Sequence, residues 1–507
     1  MSYQKPEELA EAARKDWAEM RQRGAPLTSK DRLGVRAQAM PAQDPAVRRR
    51  NIQEVALGYT ADMARLEAVR CLQCKNAPCV KGCPVAIDIP AFVQATAEGD
   101  FQKAIDIIRR NSLLPAVCGR VCPQETQCQE DCTVGKALKS VEKAVAIGRL
   151  ERYVADWERD TANMGTPALQ PETGRKVAVI GSGPASITVA ADVRRAGHTV
   201  VVFEAFHKPG GVLMYGIPEF RLPKKIVELE IEVLKRMGVE IRTNFVVGRT
   251  RKLKDLMAKD GFDAVFIGSG AGLPKFMNIP GENLVGVFSA NEYLTRANLM
   301  RAYDAGRADT PIYRSRKVAV LGGGNVAMDS ARMAVRLGAQ EVHLLYRRTE
   351  AEMPARVEEV AHAQEEGVVF HLLTNAQRIL GDERGCVQSL ECLRYELGEP
   401  DRSGRRRPVE VKGSEYRMDV DTVIVAIGNE SNPLIKQTTE GLQTSQWGTI
   451  VVDEATGKTS LDRVYAGGDI VLGAATVILA MGEGRRAAAS INAMLSGLGP
   501  VAGAPQA

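Results

Sequence analysis

Cysteine residues are concentrated in one short part of this chain, and they constrain its fold more than any other feature. Eight of the ten cysteines form two groups, Cys71-x2-Cys74-x4-Cys79-x3-Cys83 and Cys118-x3-Cys122-x5-Cys128-x3-Cys132. Thiolates at such spacings can enclose an iron–sulfur cluster from a short loop, and Pro84, directly after the first group, is typical of such loops. The pattern predicts two [4Fe–4S] clusters.

Disulfide bonds and structural zinc are the alternatives to clusters. Disulfide frameworks are typical of small secreted domains, whereas this chain is long and opens with MSYQKPEELAEAARKDW, which has no apolar stretch suited to a signal peptide. Zinc prefers paired C-x2–4-C motifs, which the x4, x3 and x5 spacings match less well. Reduced cysteines, with no apolar run of about 18 residues, predict a cytoplasmic protein without a membrane span.

The size and charge of the chain limit the remaining classes. At 507 residues it exceeds one ordinary hydrophobic core, so several domains are expected. Its 67 basic residues nearly balance 62 acidic ones, which leaves a net charge of +5. A balance of this kind does not indicate a nucleic-acid partner.

Hydrophobic patterning divides the chain into four parts. Residues 1–60 are polar and lack the apolar density of an independent core, so we expect an arm that packs on another part of the protein. Residues 61–170 combine the cysteine groups with amphipathic helical patterns, for instance over 89–110, and predict a helical iron–sulfur domain. Alternating strand and helix patterns then predict a nucleotide-binding domain over 171–305 and 445–507, with a second one inserted at 306–444.

The first nucleotide fingerprint follows an apolar strand pattern at 176–180. It comprises Gly181, Gly183, Pro184 and Ala185, and it opens a helix whose N-terminal N–H groups suit a pyrophosphate. The next strand pattern ends at Glu204, in register to accept the ribose hydroxyls of a dinucleotide. Ser186 replaces the third glycine of the motif, which we expect to loosen the packing of helix on strand slightly.

A second fingerprint follows the strand pattern at 317–321. Its turn and helix start contain Gly322, Gly324, Asn325 and Val326. The strand after it ends in Arg347-Arg348, where the first copy has a carboxylate. Guanidinium groups suit a 2′-phosphate that a carboxylate would repel, so this site is predicted to bind NADPH.

A third motif, Gly468-Asp469, ends a strand pattern late in the chain and precedes a helix that begins near Ala475-Thr476. This order of motifs resembles the two-dinucleotide-binding-domain flavoproteins, an α/β fold in which an NADPH domain is inserted into an FAD domain. The resemblance implies that Asp469 binds the ribityl or pyrophosphate part of FAD. It also implies that the helix start at Ala475-Thr476 faces the isoalloxazine ring.

Many reductases of that fold carry a redox-active cysteine pair beside the flavin, and this chain does not. Cys386 and Cys392 lie in a charged, strand-like stretch and are predicted to be ordinary residues. The clusters are therefore the expected route for electrons. A flavin accepts a hydride as an electron pair and releases electrons singly, which is the conversion needed between NADPH and one-electron clusters.

Cysteine groups, FAD fingerprint and NADPH insertion together resemble the glutamate synthase small (beta) subunit family over residues 35–495. Within it, Met40-Pro41-x-Gln43-Asp44-Pro45 and the segment 51–60 are most similar to the large subunits of NADH-dependent reduced ferredoxin:NADP+ oxidoreductases, which bifurcate electrons and are also called sulfide dehydrogenase subunits. The family resemblance places further residues near the flavin: Gly211, Met214, Gly216, Ile217 and Arg221.

The resemblance also implies a set of cluster ligands. The first cluster would take three cysteines of the first group and the last of the second: Cys71, Cys74, Cys79 and Cys132. The second would take Cys83, Cys122 and Cys128, with a carboxylate, Glu151, as the fourth ligand. Cys118 would then be a non-ligand, whereas spacing alone assigns all eight cysteines to clusters.

Three functions are compatible with these expectations. The first is a subunit that moves electrons between NADPH, FAD and the clusters, with bifurcation between NAD and ferredoxin through a small flavin/[2Fe–2S] partner subunit. The second is the same reductase supplying a large glutamate-forming subunit. The third is a docking and relay subunit of a larger redox complex such as a hydrogenase, against which the intact nucleotide fingerprints argue.

Overall fold

The computed structural model describes residues 3–23, 26–161, 164–304, 306–313, 315–400 and 404–498. The ends of two predicted domains, 1–2 and 499–507, lie outside these residues. All ten cysteines are free. No helix of the described part is long and apolar enough to cross a membrane.

Helices dominate the N-terminal third and flank the sheets beyond it. In chain order they are α1 Pro6–Gln22, α2 Ser29–Gly34, α3 Pro45–Arg48, α4 Ala61–Val69, α5 Pro78–Lys81, α6 Ile89–Glu98, α7 Phe101–Arg109, α8 Pro115–Val121, α9 Thr133–Ala137, α10 Ile147–Asp160, α11 Pro184–Arg195, α12 Val212–Tyr215, α13 Lys224–Arg236, α14 Leu253–Ala258, α15 Ala290–Asn298, α16 Asn325–Arg336, α17 Val357–Glu365, α18 Leu434–Thr438, α19 Asp469–Leu472 and α20 Val477–Gly497.

Among the residues that the structure describes, the strands follow the cysteine region. They are β1 Lys176–Ile180, β2 Thr199–Phe203, β3 Glu240–Arg242, β4 Ala264–Ile267, β5 Leu273–Pro274, β6 Val287–Ser289, β7 Lys317–Leu321, β8 Glu341–Tyr346, β9 Val369–Leu372, β10 Thr374–Gly381, β11 Val387–Pro400, β12 Arg406–Glu410, β13 Tyr416–Asp419, β14 Thr422–Val425, β15 Asn429–Glu430 and β16 Val464–Ala466.

The predicted helix over 89–110 is two helices, α6 and α7. Gly99 ends the first with φ of +83° in the left-handed region, which costs glycine little because it has no Cβ. Asp100 then caps the second by accepting a hydrogen bond from the Lys103 N–H at 3.0 Å. The Gly99-Asp100 pair thus ends one helix and begins the next, although the helical spacing of apolar residues continues across it.

The first nucleotide-binding domain is a five-stranded parallel sheet in the order β16-β4-β1-β2-β3. The first fingerprint lies between β1 and α11, at the carboxyl end of the central strand. Because β16 comes from near the C-terminus, the chain leaves this domain and returns to it. The structure is thus the predicted α/β arrangement of a domain with an insertion.

The second sheet is also parallel, in the order β6-β14-β7-β8-β9. Its edge strand β6, at 287–289, and the helix α15 after it come before the predicted domain boundary at 306. The fingerprint after β7 predicts the start of this domain close to β7. The edge strand β6 gives no such signal, because it is only three residues long and carries no motif. The short antiparallel pair of β5 and β15 lies where the chain crosses between the domains.

A small antiparallel sheet of β10, β11, β12 and β13 covers one face of the second sheet. Cys392 lies in β11 and is fully buried in the core that these two sheets share. Its side chain therefore packs as an apolar group, as the sequence predicts for it.

The iron–sulfur domain and the first nucleotide-binding domain share one continuous hydrophobic core. That core runs from Leu66 and Ile105 in the helical part to Val179 of β1 and Met481 of α20. Two bodies with a common core do not separate without exposing apolar surface to water. The cysteine region is thus held rigidly against the first fingerprint.

The N-terminal arm packs on all the other parts, as its composition requires. Arg32 donates to the carbonyl oxygens of Val69 and Cys71, both at 2.9 Å, just before the first cysteine loop. Further along, the Val55 N–H donates to Phe220 O at 2.9 Å. Arg48 is buried and pairs with Glu366 of the second nucleotide-binding domain at 2.9 Å.

Candidate functional site

The four cysteines predicted for the first cluster line one cavity, together with apolar side chains such as Ile89, Val93 and Ile147. Cys132 directly precedes α9, and the other three come from the segment between α4 and α6, with Cys79 in the short helix α5. Burial, followed by the neighbouring Cys132, Cys71 and Cys74, raises the pKa of the Cys79 thiol to about 12. Four cysteines around one cavity, close enough to disfavour ionisation of the Cys79 thiol, fit a polycationic iron core, which stabilises thiolates.

Glu151 lies among the second set of cysteines. Its side chain is on α10, is buried, and its Oε1 atom has no hydrogen-bond partner. Burial, with a smaller contribution from Glu230, raises the pKa of this carboxyl to about 8. Cys83, Cys122 and Cys128 all lie within electrostatic reach of it. A buried acid without a donor or counter-ion fits the place of a metal ligand.

Cys118 also lies within electrostatic reach of Glu151 and Cys83, and it has a further contact with the first nucleotide-binding domain. It is on α8 and fully buried, and its Sγ lies 3.5 Å from Met481 Sδ on α20. Its thiol also hydrogen-bonds with that of Cys122. The structure thus gives Cys118 contacts of its own at the junction between the cysteine region and the first nucleotide-binding domain.

The first fingerprint approaches the neighbouring strand very closely. Gly181 has φ of +90°, and a Cβ at this position would lie 2.5 Å from Gly268 O. Ser186, which replaces the third glycine, is fully buried and its Oγ donates to the same carbonyl at 3.3 Å. Gly268 follows β4, and its missing side chain leaves the space that Ser186 fills. The packing that we expected to be loosened is thus maintained from the opposite strand.

Glu204 is held by two donors at the end of β2. Ser182 Oγ donates to its Oε2, and the Phe206 N–H donates to Oε1 at 2.8 Å. The same hydroxyl accepts the Gly210 N–H at 2.9 Å. A carboxylate has about four acceptor positions, so both oxygens retain capacity for ribose hydroxyls. Ser182 was not predicted, although its place between the two fingerprint glycines was a signal for it.

The predicted flavin loop is fixed by two side chains that the sequence did not indicate, the half-buried Lys224 and the buried Asn298. Lys224 Nζ donates to three carbonyl oxygens of the loop region, those of Leu213 at 2.9 Å, Leu222 at 3.3 Å and Ile217. Asn298 Nδ2 donates to Gly216 O at 3.0 Å. The loop starts against the fingerprint, because a Cβ on Gly211 would lie 2.8 Å from Gly183 Cα, and Met214 within it is buried.

Arg221, predicted to lie near the flavin, is engaged by the second nucleotide-binding domain. It is buried, and its Nη1 donates to Asp329 Oδ1 at 2.8 Å and Oδ2 at 2.7 Å. Asp329 belongs to α16 of the second nucleotide-binding domain. The guanidinium is thus used between domains, which differs from its predicted contact with FAD.

The third motif, Gly468-Asp469, packs against the first fingerprint. Gly468 lies against Ala185, since a Cβ added to it would be 3.0 Å from that residue's Cβ. Burial raises the pKa of the Asp469 carboxyl to about 6, and the Ala475 N–H donates to its Oδ1 at 3.3 Å. Thr476 caps α20 by accepting from the Leu479 N–H at 3.3 Å. The first fingerprint, the Asp469 carboxyl and the N-terminus of α20 therefore lie together.

The second fingerprint is linked to the cysteine region through Arg356. Asn325, directly after Gly324 at the start of α16, accepts the Arg356 N–H on its Oδ1 at 3.0 Å. The Arg356 guanidinium donates to Arg120 O at 2.9 Å and to Gln124 Oε1 at 3.2 Å, both in the second cysteine group. Gly322 turns the chain at the end of β7, its N–H donating to Leu345 O at 3.0 Å, and Val326 is exposed.

The two arginines after β8 have different surroundings. Arg347 is exposed, whereas Arg348 is buried and its Nε donates to Arg406 O at 2.8 Å. Only Arg347 thus combines the predicted position with an exposed guanidinium.

Comparisons with known proteins match this arrangement of domains. Residues 48–163 match the family model described as dihydropyrimidine dehydrogenase domain II, 4Fe-4S cluster, and residues 175–484 match pyridine nucleotide-disulphide oxidoreductase. The chain is 37% identical over 467 residues to the glutamate synthase [NADPH] small chain of Azospirillum brasilense, covering 90% of this chain and 94% of that one. The chain belongs to the glutamate synthase small-chain family.

Other members of this wider group are longer. The beta subunit of the NADP(+)-dependent formate dehydrogenase of Moorella thermoacetica is 41% identical over 443 residues, and the chain spans 60% of its length. The NADPH-Fe(3+) oxidoreductase subunit beta of Geobacter sulfurreducens is 38% identical over 449 residues, and the chain spans 64% of it. Each alignment covers 83% of this chain.

Solved structures support the fold. FprA of Mycobacterium tuberculosis in complex with NADPH has a TM-score of 0.53 at 21% identity, over 64% of this chain and 85% of that one. The glutamate synthase small-chain family and both family models make this chain an NADPH-dependent oxidoreductase subunit with FAD and iron–sulfur cofactors.

Proposed function

We propose that this chain is the subunit through which electrons pass between NADPH, FAD and two [4Fe–4S] clusters on the way to or from a partner subunit. The observation that carries the proposal is the buried carboxylate of Glu151, which has no donor and lies among Cys83, Cys122 and Cys128. A set of three thiols and one carboxylate supports a second cluster beside the four-cysteine site.

Each cofactor has a group of side chains suited to hold it. The FAD site is proposed to use the fingerprint at 181–185, Glu204, the loop 211–217, Asp469 and the helix start at 475–476. Arg221, whose guanidinium is paired with Asp329, is left out of this set. The NADPH site is proposed to use the turn 322–326, with Arg347 on the 2′-phosphate.

When bound, FAD converts the electron pair of an NADPH hydride into single electrons that clusters accept. The protein supplies placement and a dry environment for that exchange. Ser182 and Glu204 hold the ribose end, Lys224 and Asn298 fix the loop at the other end, and the shared core excludes water between fingerprint and cysteine region. An oxygen ligand at one cluster would set its potential apart from that of the four-thiolate cluster.

For the destination of the electrons we propose bifurcation, with NAD reached through a small flavin/[2Fe–2S] subunit and ferredoxin through the clusters. The segment 40–60, whose pattern resembles that group of enzymes, contacts every domain of the chain. Gln43 N donates to Val55 O at 2.9 Å, Val55 in turn to Phe220 O, and Arg48 reaches Glu366. Thiolate clusters and free cysteines favour a reducing compartment, for which we propose the cytoplasm.

A second destination is a large glutamate-forming subunit. The observation in its favour is coverage, because the alignment spans 90% of this chain and 94% of the Azospirillum brasilense glutamate synthase small chain. The small chain of that enzyme and this one would then enter the same kind of complex.

Anaerobic purification of the natural complex tests both levels of the proposal. We expect FAD, iron for two clusters, and bleaching of the flavin when NADPH is added. A preparation that binds no flavin would refute the electron-transfer proposal. Mass spectrometry of the copurified chains then decides the destination: a small flavin and [2Fe–2S] protein supports bifurcation, and a large amidotransferase supports glutamate synthesis.

A further inference from the structure

The first turns of α20 lie between the FAD fingerprint and the loops of the second cluster. Three contacts join this helix to the cysteine region. Gln127 Nε2 donates to Thr476 Oγ1 at 3.4 Å, Cys118 Sγ lies 3.5 Å from Met481 Sδ, and Gly482 packs against Pro84. The helix whose start belongs to the proposed FAD site thus also touches the segments that carry Cys83, Cys122 and Cys128.

Gly482 is a position where α20 approaches the cysteine region closely. A Cβ added to it would lie 2.9 Å from Pro84 O and 3.3 Å from Pro84 Cβ. The nearer atom belongs to the backbone, which cannot turn aside as the end of a flexible side chain can. Since Pro84 directly follows Cys83, any larger residue at Gly482 must push a proposed cluster ligand away from α20.

Gly484 makes the corresponding approach on another side of the helix. A Cβ there would lie 2.5 Å from Ala185 O, within the FAD fingerprint. Residues two apart on an α-helix point about 200° away from each other. The helix α20 therefore lies between the FAD fingerprint and the loop of the second cluster, and it has a glycine on the side that faces each of them.

We infer that Gly482 is a positioning residue for electron transfer between FAD and the cluster proposed at Cys83, Cys122, Cys128 and Glu151. The inference rests on the proposed function. FAD that has received the two electrons of one NADPH hydride would release them one at a time. Each electron bound for the clusters would cross this junction to one oxidised cluster, and the hydride's proton would go to solvent as the flavin is reoxidised. The absence of a Cβ at Gly482 keeps the distance between the proposed FAD site and this cluster short.

The test compares Gly482→Ala with Gly497→Ala in the full-length, cofactor-loaded protein. Gly497 is on the same helix, and a Cβ added there meets nothing within 4 Å. After anaerobic rapid mixing with NADPH, flavin bleaching and cluster reduction are followed separately, the latter by freeze-quench electron paramagnetic resonance. We expect Gly482→Ala to bleach at the wild-type rate and to reduce its clusters several-fold more slowly, with iron and FAD content unchanged. Gly497→Ala should match the wild type in both steps.

Equal rates of cluster reduction in the two variants would overturn the inference. If Gly482→Ala fails to retain iron, Met481→Ala carries the same test, because it removes the contact with Cys118 without adding volume; an unchanged rate of cluster reduction there would also overturn it. Gly484→Ala, on the flavin side, should instead lower FAD retention. A wild-type protein whose clusters NADPH does not reduce would refute the proposed function, and no comparison between variants would be needed.

Discussion

Arg221 and Asp329 form a buried ion pair between the two nucleotide-binding domains, with both carboxylate oxygens within 2.8 Å of Arg221 Nη1. Arg221 Nε also lies 3.2 Å from Glu359 Oε1 on α17. Beside this pair, Phe220 packs under the guanidinium of Arg336, 3.9 Å from its ring centre. Arg221, three residues before the flavin-loop lysine Lys224, thus helps to hold the inserted domain.

Arg221→Met is expected to destabilise the protein without removing FAD. Removing Arg221 leaves the buried Asp329 without its ion-pair partner, whereas Glu359 keeps Arg332. Loss of one partner of a buried pair typically costs about 3–5 kcal/mol. The loss should appear as a lower thermal midpoint, measured by calorimetry on the cofactor-loaded protein. Flavin content, determined by absorbance after purification, should equal that of the wild type.

Arg242→Met is the matched control for that experiment. Its ion pair with Glu240 is about half exposed, so its loss should cost about 0–1 kcal/mol. If Arg221→Met were instead as stable as this control but depleted of FAD, the result would contradict the structural role of Arg221. It would support the contact with FAD that the sequence predicted.

Arg347→Ala is expected to weaken NADPH far more than NADH. Its exposed guanidinium is the group placed for the 2′-phosphate, and a hydrogen bond to a charged group is worth about 1.5–3 kcal/mol. That corresponds to a rise in KM for NADPH of roughly tenfold to a hundredfold. Steady-state reduction of an artificial acceptor by each nucleotide measures the ratio.

Arg348→Ala separates this role from a structural one. Arg348 is buried and donates to Arg406 O, so its loss should lower stability and affect both nucleotides alike. If instead Arg348→Ala carries the discrimination and Arg347→Ala does not, the assignment of the 2′-phosphate to Arg347 is wrong.

Local motifs were the part of this molecule that the sequence predicted well. Each fingerprint joins a strand to a helix, as the spacing of its glycines requires, because that geometry is determined by neighbouring residues. Gly99-Asp100 was also readable as a helix end followed by a cap, although the apolar period across it suggested one helix. The strand β6 was missed because three residues without a motif give no periodic signal.

Contacts between segments far apart in the chain could not be predicted from the sequence. Arg221 and Asp329 are 108 residues apart, so nothing near Arg221 showed that its guanidinium was already paired. Asn298 contacts the flavin loop 82 residues before it, and the Cys118 contact with Met481 spans 363 residues. Such pairs depend on how whole domains pack, which local patterns do not encode.

His362 is expected to make the protein less stable in mild acid. Burial and the nearby Arg332 lower its pKa from the ordinary 6.5 to about 4, against the opposing charges of Glu358 and Glu359. The unfolded chain therefore binds a proton between pH 6.5 and 4 that the folded chain does not, and stability falls as the pH decreases through that window. The loss should reach about 1–3 kcal/mol near pH 4.

The comparison of His362→Gln with the wild type isolates this effect. Glu230 and Asp469, whose pKa values burial raises to about 6, favour the folded state as the pH decreases, so the total profile mixes both signs. The thermal midpoint of His362→Gln minus that of the wild type should increase when the pH is lowered from 7 to 5. His207→Gln, at an exposed position, should show no such shift, and equal shifts in both variants would contradict the role of His362.

Cys118 and Glu151 give opposite expectations for iron content. Cys118 has Met481 and Cys122 as neighbours, whereas Glu151 Oε1 is buried without any donor. Cys118→Ala should therefore retain the iron of both clusters. Glu151→Ala should lose or change one cluster and leave the four-cysteine site intact, since the cavity of Cys71, Cys74, Cys79 and Cys132 does not include it.

Iron analysis together with electron paramagnetic resonance of the reduced protein distinguishes the two ligand sets. Cys74→Ala is the reference for loss of the first cluster, because it removes a ligand from that cavity alone. Glu151→Cys should keep the iron and change the potential of the second cluster, as exchange of oxygen for thiolate alters the charge donated to iron. Iron loss in Cys118→Ala, with full iron in Glu151→Ala, would show that the eight cysteines alone hold the clusters, because a thiol that only packs against Met481 could be replaced without releasing metal.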